Sequence, residues 1–407
     1  MILEQSEDRD AVLFGLGPTE LILPDEVVED VTIVERSHWI VRLWRGFSSM
    51  VEWIVGAVAI VMGLALLAPL PVLQLLSLGY LLEVSGRIGR TGRLREGFIG
   101  VRPAARAGTV LLGTWLVLLP LRFSADMAES ARLIGPDIPA ARGWSVAVLV
   151  LAGLTACHLI WAYWRGGRLR HFLLPPNPVR VYRVLRRGGA YAQARDSVWQ
   201  FITSLRLPYY FSLGLRGFIG GIAWLIIPVT MLAMGGKGPF NGPGGALLGF
   251  IGAGLLMIVL LYLPFLQTRF AAENRLRAMF EVGTVRQLFR RAPIAFWTAL
   301  FFALAFALPL YLLKIEIVPR EAAWLPSLVF VVFILPARFL SGWAYARGVR
   351  REKPRHWIFR WTARLWMLPI VMFYVMVVFF TQYTAWHGFW SLYEQHAFLV
   401  PVPFLGL

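Results

Sequence analysis

Nine apolar stretches, separated by short charged segments, constrain the fold of this chain more than any other feature of its sequence. A membrane helix needs about 20 apolar residues to cross roughly 30 Å of hydrocarbon, and it satisfies its own backbone hydrogen bonds there. The stretches cover residues 49–68, 71–86, 107–124, 143–164, 212–235, 244–268, 294–314, 323–346 and 364–384, and the second is short enough to be either a full span or a re-entrant segment. The composition agrees, because 58% of the residues are hydrophobic. The sequence therefore predicts an all-α, polytopic transmembrane helix bundle of about nine spans.

The distribution of arginine predicts the orientation of the chain. The net charge is +17, and lysine occurs only at Lys237, Lys314 and Lys353. Four connecting segments are rich in arginine, at residues 87–106, 165–206, 269–291 and 347–364, whereas the segments between them carry few or mixed charges. Cytoplasmic loops of membrane proteins carry an excess of Lys and Arg. The alternation therefore predicts a cytoplasmic N-terminus and an exoplasmic C-terminus.

The same charge, with a pI near 10.8, would suit a protein that binds nucleic acid. The arginines, however, form short blocks between apolar stretches, so we expect no nucleic-acid partner. Cys157 is the single cysteine, which excludes an intrachain disulfide. The sequence contains no phosphate-binding glycine loop or nucleophile elbow, and His387 and His396 lack the spacing of metal ligands. It predicts no enzyme, and no catalytic, cofactor-binding or metal-binding residue.

The N-terminal segment differs from the rest of the chain in charge. Residues 1–36 contain ten acidic residues and two arginines, and residues 39–45 combine tryptophan with arginine. We interpret residues 1–46 as an acidic cytoplasmic tail that ends in an interfacial anchor, followed by a leader transmembrane helix at 47–70. The tail either docks on the basic loops or stays solvated. Because the segment lacks the pattern of a cleavable signal peptide, we expect the leader helix to act as the insertion signal.

The pattern W-A-Y-x-R-G-x-R occurs at residues 161–168 and again at 343–350, an offset of 182 residues (343 − 161). The same offset aligns RLREGF at 93–98 with RLRAMF at 275–280, and Trp115 with Trp297. Matches of this kind indicate an internal repeat. Because each copy would hold four spans, an even number, both copies would face the same way. The sequence thus predicts two parallel four-helix repeats, 71–235 and 244–384, and an exoplasmic tail at 385–407.

Arginines in the repeated segments are candidate contacts for an anionic lipid or ligand, because a guanidinium binds phosphate through two donors. They are Arg93, Arg95, Arg275, Arg277, Arg165 and Arg347. The alternative is that they only signal topology, which requires no ligand. We interpret W-A-Y-x-R-G-x-R as the point where the third helix of each unit leaves the bilayer, with its glycine ending the helix.

An ionisable residue within a membrane span is costly and is a candidate for function, and three such residues are singled out in the predicted spans. Glu83 is spaced to pair with Arg87 at i+4. His158 suits either a proton relay or a buried, hydrogen-bonded position. Arg338 lies near the middle of its span, where it would snorkel towards the interface, meet Glu83 or line a transport path.

Two stretches outside the spans have apolar residues at helical spacing. The first covers residues 191–205, and the second is LRAMFEVGTVRQLF at 276–289. Because arginines flank both, we expect each to form an amphipathic helix in the cytoplasmic membrane surface.

The segment QLLSLGYLLEVSGRIGRTGRLREGFIGVRPAARAG, at residues 74–108, resembles a segment of uncharacterised multi-pass membrane proteins of environmental bacteria, a family of unknown function. The resemblance implies a bacterial cytoplasmic (inner) membrane and carries no activity.

Two classes of function stand: transport or handling of a lipid or anionic small molecule at the interface of the two repeats, and a non-catalytic membrane scaffold or subunit of a membrane complex. Membrane lipids are the expected partners, a protein partner or second copy is left open, and no cofactor is expected. A polar cavity between the repeats would favour transport, and a filled interface would favour the scaffold.

Overall fold

The computed structural model describes residues 39–70, 72–135, 138–164, 171–172, 195–196, 199–200, 202–235, 242–312, 324–385 and 388–394. The chain divides into two units, Met1–Phe47 and Ser48–Leu407, and the second contains the helical bundle. Each regular element within the described ranges is helical. The elements are α1 (Trp39–Leu67), α2 (Gln74–Thr91), a first 3-10 turn (Leu94–Gly97), α3 (Val101–Ile134), α4 (Pro139–Trp164), α5 (Leu207–Gly235), α6 (Pro243–Glu273), a second 3-10 turn (Leu276–Phe280), α7 (Val282–Arg291), α8 (Pro293–Leu312), α9 (Trp324–Arg350), α10 (Trp357–Thr384), a third 3-10 turn (Gly388–Trp390) and α11 (Ser391–Glu394).

Seven of the described helices are long and apolar enough to cross a membrane, and the bent pair α7–α8 makes an eighth if it is counted as one span. The seven lie in α1, α3, α4, α5, α6, α9 and α10. The other predicted span, α2, falls outside this set because its 18 residues include Glu83, Arg87 and Arg90. Glu83 is buried against neighbouring helices, whereas the side chains of Arg87 and Arg90 are each 40% exposed.

The central helix is α2, which packs against α5, α6 and α9. Its approach to α5 depends on two glycines. A Cβ atom added to Gly79 would lie 1.8 Å from the carbonyl oxygen of Tyr210, and one added to Gly214 would lie 1.9 Å from that of Leu75. Both distances are far below van der Waals contact, so the two backbones touch only because these residues have no side chain.

Polar side chains are buried where the central helices meet. They are Ser77, Glu83 and Ser85 on α2, Gln267, Thr268 and Arg269 on α6, and Arg338 and Ser341 on α9. A helix surface facing hydrocarbon would leave such groups without hydrogen-bond partners, whereas neighbouring helices can supply them.

The helices α3 and α4 form a long hairpin, and they pack mainly against each other. In the most apolar 18 residues of α3 and of α4, only 11% and 17% are buried, compared with 50% in α9. The helix α3 continues to Ile134, through residues that were expected to form a loop, because neither glycine nor proline occurs between Pro120 and Gly135. The exposed apolar surface of this hairpin is compatible with an integral membrane protein.

The segment α7–α8 is bent by 113° around Ala292. Pro293 has no backbone N–H to continue α7 and disfavours helical geometry at the residue before it, which explains the position of the break. In α7, Val285 and Leu288 are buried whereas Arg286 and Arg290 are exposed, as expected of an amphipathic helix. The predicted helix at 276–289 is therefore confirmed over its second part, while its first part is a 3-10 turn. Of the predicted amphipathic helix at 191–205, the structure describes residues 195–196, 199–200 and 202–205, of which all but 205 are helical and exposed.

The second copy of the repeated octapeptide lies entirely within α9, which continues to Arg350. The prediction that its glycine ends the helix is therefore wrong. A Cβ atom added to Gly348 would lie 3.0 Å from the Cβ atom of Leu288, so the glycine makes room for α7. In the first copy, α4 ends at Trp164, and residues 165–168 lie outside the described residues.

Candidate functional site

The helices α2 and α6 end in the same way. Their last residues, Thr91 and Glu273, are 182 positions apart, as are the first residues of the two 3-10 turns that come after them. Arg93, which precedes the first turn, has φ −113° and ψ 119°, and Arg275, which precedes the second, has φ −124° and ψ 119°. The local backbone therefore agrees with the sequence alignment of RLREGF with RLRAMF.

Arginine side chains from neighbouring helices bind the ends of α2 and α6. Arg90 Nη1 donates to the carbonyl oxygens of Ala271 at 2.8 Å and Ala272 at 3.3 Å, in the last turn of α6. Arg350 Nη2 in turn donates to the carbonyl oxygen of Thr91 at 2.6 Å. The last four carbonyls of a helix have no partner within it and carry partial negative charge, so a guanidinium is a favourable cap.

The same arrangement extends to other helices. Arg216 of α5 donates to the carbonyl oxygen of Asn274 at 3.3 Å and to its Oδ1 at 2.8 Å, at the left-handed residue that ends α6. At the end of α7, the carbonyl oxygen of Arg290 accepts a 3.0 Å hydrogen bond from the backbone N–H of Arg355. The ends of α2, α6, α7 and α9 and the start of α10 thus lie together, and we call this region the arginine-rich end.

Glu83 joins α2 to α5 near the arginine-rich end. Arg90 Nη2 donates to Glu83 Oε1 at 2.5 Å, and Tyr209 Oη donates to Glu83 Oε2 at 2.7 Å. The predicted pairing of Glu83 with Arg87 is wrong, because Arg87 pairs with Glu96 of the first 3-10 turn at 3.4 Å. Tyr209 is 126 residues from Glu83 in the sequence and belongs to no recognisable motif, so the sequence contained no signal for this hydrogen bond.

The position equivalent to Arg87 in the second half is Arg269, which is more deeply buried. Its side chain is 7% exposed, compared with 40% for Arg87. Arg269 Nε lies 3.1 Å from Glu273 Oε1, and its Nη2 pairs with Glu281. Glu273 also pairs with Arg275, and the neighbouring carboxylate raises the pKa of the Arg275 guanidinium. In both halves an arginine of the helix therefore binds an acid in or after the 3-10 turn.

The other two candidates within predicted spans are Arg338 and His158. Arg338 is 2% exposed, and its Nη1 donates to Gln267 Oε1 at 2.8 Å. The predictions that Arg338 snorkels or meets Glu83 are wrong, because the side chain is buried and Glu83 is held by Arg90 and Tyr209. His158 Nε2 lies 2.8 Å from the carbonyl oxygen of Phe172, which accepts from it, so His158 has the hydrogen-bonded position that was one of the two expected from the sequence.

The candidate anion contacts lie on the surface where the structure describes them. Arg93, Arg95, Arg275 and Arg277 are exposed, and of these four Arg275 alone forms an ion pair with a described residue. Arg347 is also exposed, and its guanidinium carbon lies 4.8 Å from the ring centre of Trp343. Arg165 lies outside the described residues. The two 3-10 turns therefore present two pairs of exposed arginines at one end of the bundle.

A cavity of about 290 Å³ lies beneath α7, between α6, α8 and α10. Its lining consists of Leu261, Tyr262, Phe265, Val285, Arg286, Phe289, Phe296, Trp361, Arg364, Met367 and Leu368. The spacing of apolar residues predicted that α7 is amphipathic but not that it covers a cavity, because the cavity depends on how α10 packs against α6, α7 and α8.

Among the described residues, no group of three or more His, Cys, Asp or Glu side chains is placed to hold a metal ion, and His387 and His396 lie outside them.

Comparison with known proteins yields one match. Residues 195–318 match a family model described as "Protein of unknown function (DUF4013)". No curated protein and no solved structure matches the chain. The matched segment contains α5, α6, the second 3-10 turn, α7 and α8, and it crosses the predicted boundary between the two repeats. This chain therefore carries a domain of unknown function at residues 195–318, in a helical and apolar structure compatible with an integral membrane protein.

Proposed function

We propose that this chain is an integral protein of a bacterial inner membrane that holds anionic lipids at its arginine-rich end and catalyses no reaction. In this proposal a leader helix precedes two parallel four-helix units, and the arginine-rich end faces the cytoplasm. The N-terminus is then cytoplasmic and the C-terminus exoplasmic. The positive-inside rule supports this orientation, since α2 and α6 end and α10 begins at the arginine-rich end.

The proposal counts α2 as the ninth span. Its 18 residues correspond to about 27 Å at a rise of about 1.5 Å per residue, close to the thickness of the hydrocarbon layer. Its charges are compatible with this position because Arg90 and Glu83 pair with each other and with neighbouring helices.

The observation that carries the proposal is the pair of matching 3-10 turns, each presenting two exposed arginines at the same end of the bundle. An aromatic residue follows the arginines in both turns, Phe98 in the first and Phe280 in the second. Arginine near a membrane surface attracts anionic lipid, and aromatic side chains sit at the headgroup level. The ion pairs of Arg87 with Glu96 and of Arg269 with Glu281 connect each turn to the helix before it.

The test compares the lipids that copurify with the full chain from a membrane of mixed phosphatidylglycerol and phosphatidylcholine. Replacing Arg93, Arg95, Arg275 and Arg277 by Gln should lower the enrichment of phosphatidylglycerol by about fivefold for each arginine that contacts the headgroups. The control replaces Arg122 and Arg142, two arginines that are exposed on the hairpin of α3 and α4. Equal enrichment in the fourfold variant and the control would contradict the proposal.

The second candidate function is a non-catalytic scaffold, and the packing of the bundle centre favours it. The backbones of α2 and α5 touch, and a Cβ atom added to Gly86 would lie 2.6 Å from the carbonyl carbon of Ala271, so α2 and α6 are also in close contact. Of three cavities lined by described residues, none has Arg338 or His158 in its lining. Because the helices at the bundle centre are in close contact, we do not propose transport between the repeats. The lipid handling that we propose takes place at the surface of the bundle.

Mass spectrometry of the same purified samples separates the two candidates. Recovery of a stoichiometric protein partner without enriched phosphatidylglycerol would favour the scaffold and would count against lipid handling. Enriched phosphatidylglycerol without a partner would favour lipid handling.

A further inference from the structure

The cavity beneath α7 combines an apolar interior with two basic side chains. Phe265, Val285 and Phe296 are each 1% exposed and form part of its wall. Its volume, about 290 Å³, lies just below the range of about 300–1,000 Å³ typical of ligand sites. It is therefore large enough for part of an amphiphilic molecule.

The two basic residues of the lining are Arg286 of α7 and Arg364 of α10. The guanidinium carbon of Arg364 lies 5.6 Å from the ring centre of Phe289 and 5.9 Å from that of Trp361. These rings hold the cation beside the apolar wall through cation–π attraction. No acidic residue belongs to the lining of the cavity. By contrast, Arg269 and Arg275, which precede α7 in the sequence, are each paired with an acidic residue. The cavity thus has a net positive charge that its own lining does not neutralise.

The bend of the α7–α8 segment favours a position of the cavity at the membrane surface. The helix α7 is amphipathic, and α8 leaves it at a bend of 113°. If α8 crosses the bilayer, α7 lies along the membrane surface, with Val285 and Phe289 turned towards the bundle. Arg286 is exposed and Arg364 half-buried, so cationic groups lie at the surface and apolar side chains lie deeper. This order of polarity is that of a phospholipid, with its phosphate outside and its acyl chains inside.

We infer that the cavity beneath α7 is a specific site for one anionic phospholipid, with the headgroup phosphate between Arg286 and Arg364 and the start of an acyl chain against Phe265, Phe296 and Met367. This site rests on the proposed function and deepens it, because it adds one tightly bound lipid to the anionic lipids attracted to the surface. Charge complementarity and the apolar wall together select an anionic lipid over a neutral lipid and over free phosphate.

The test is native mass spectrometry of the full chain in detergent, titrated separately with dioleoylphosphatidylglycerol, dioleoylphosphatidylcholine and inorganic phosphate. The wild-type chain should bind one phosphatidylglycerol more tightly than further copies. The variant Arg286→Gln/Arg364→Gln should weaken this first binding step by about fivefold for each arginine, or about 25-fold in total. Binding of phosphatidylcholine should not change.

A second variant tests the apolar part of the site and leaves both arginines in place. Leu368 lines the cavity and is 48% exposed, so Leu368→Trp should fold normally and block entry of the acyl chain. We expect it to abolish the tight binding step without changing the weaker ones. If neither variant alters the first binding step, or if inorganic phosphate alone competes with it at equal concentration, the site is overturned.

The variant Arg93→Gln/Arg95→Gln separates this inference from the proposed function. Those arginines are exposed on the first 3-10 turn and do not line the cavity. Loss of weak anionic binding in this variant, with the first step unchanged by the cavity variants, would overturn the site while leaving the proposed function intact. Unchanged binding in all the variants would contradict both.

Discussion

Two regions related by the 182-residue offset have the same local structure at first and then diverge. The helices α2 and α6 end at equivalent residues, and equivalent arginines precede matching 3-10 turns. Beyond the turns, the first region continues as the single helix α3, whereas the second consists of α7 and α8 with a bend of 113°. The position of Pro293 in the second region is occupied by Leu111 in the first.

This difference shows how similar sequences can produce different surroundings. A proline at the start of α8 separates the amphipathic helix α7 from the apolar helix α8, and a cavity lies beneath the amphipathic part. Without a break, α3 extends for 34 residues and packs mainly against α4. The second region therefore contributes to the buried bundle, whereas the first forms an exposed hairpin.

The largest expected effect concerns the central helices. At position 79 of α2 there is a glycine, and the equivalent position in α6 is Leu261, which lines the cavity. Gly79→Leu should prevent folding, because even its Cβ atom would lie 1.8 Å from the carbonyl oxygen of Tyr210. The yield of monodisperse protein on size-exclusion chromatography measures this effect. The control Gly153→Leu, in open space on α4, should purify like the wild type.

The next effect compares equivalent arginines. Arg269→Gln should lower the free energy of unfolding by about 3–5 kcal/mol, because it breaks a buried ion-pair network and leaves Glu281 without its partner. Arg87→Gln breaks an exposed pair with Glu96 and should cost less than about 1 kcal/mol. Denaturation in mixed micelles measures both values. Equal costs would show that the difference in burial between the two positions has no energetic consequence.

A proline introduced into α3 tests the origin of the bend. Leu111→Pro should destabilise α3 by about 3 kcal/mol and bend it, because the ring removes a helical hydrogen bond and clashes with the preceding turn. Leu111→Ala is the matched control, and since Leu111 is 70% exposed it should have a small effect. Distances between spin labels in the first and last turns of α3 would report the bend. A straight helix in the proline variant would show that proline alone does not explain the bend of α7–α8.

The smallest effect concerns helix capping at the arginine-rich end. Arg350→Gln removes the donor that binds the carbonyl oxygen of Thr91 and should cost about 1 kcal/mol. Arg347→Gln, on the same helix and with its guanidinium over Trp343, should cost less. The midpoints of thermal unfolding of the two variants test this order. A larger loss in Arg347→Gln would argue against helix capping as the role of Arg350.

Much of the helical framework could be predicted from the sequence. The apolar stretches located the membrane-length helices among the described residues, and the predicted end of the first stretch at residue 68 agrees with the end of α1 at Leu67. The helix boundaries were less accurate, because helices such as α9 continue into the arginine-rich segments beyond their apolar part. Helix ends beyond the hydrocarbon depend on capping and packing, which hydropathy does not measure.

The contacts of the candidate site were less predictable. The spacing of Glu83 and Arg87 favoured an ion pair within one helix, but α6 and α5 provide Arg90 and Glu83 with better partners at Ala271 and Tyr209. The partner of Arg338, Gln267, is 71 residues away in sequence. Such pairs depend on which faces of distant helices meet, and no local pattern encodes this.

The sequence alone determined the helical class, the approximate positions of the apolar helices and the offset that relates RLREGF to RLRAMF, because these depend on local composition and spacing. Only the tertiary structure decided that α2 lies at the centre, that arginines cap neighbouring helix ends and that Arg286 and Arg364 share a cavity. The physical reason is that burial and hydrogen bonding between helices depend on side chains far apart in the chain. The hydropathy of a segment depends only on its own residues and contains no information about the helices that pack against it.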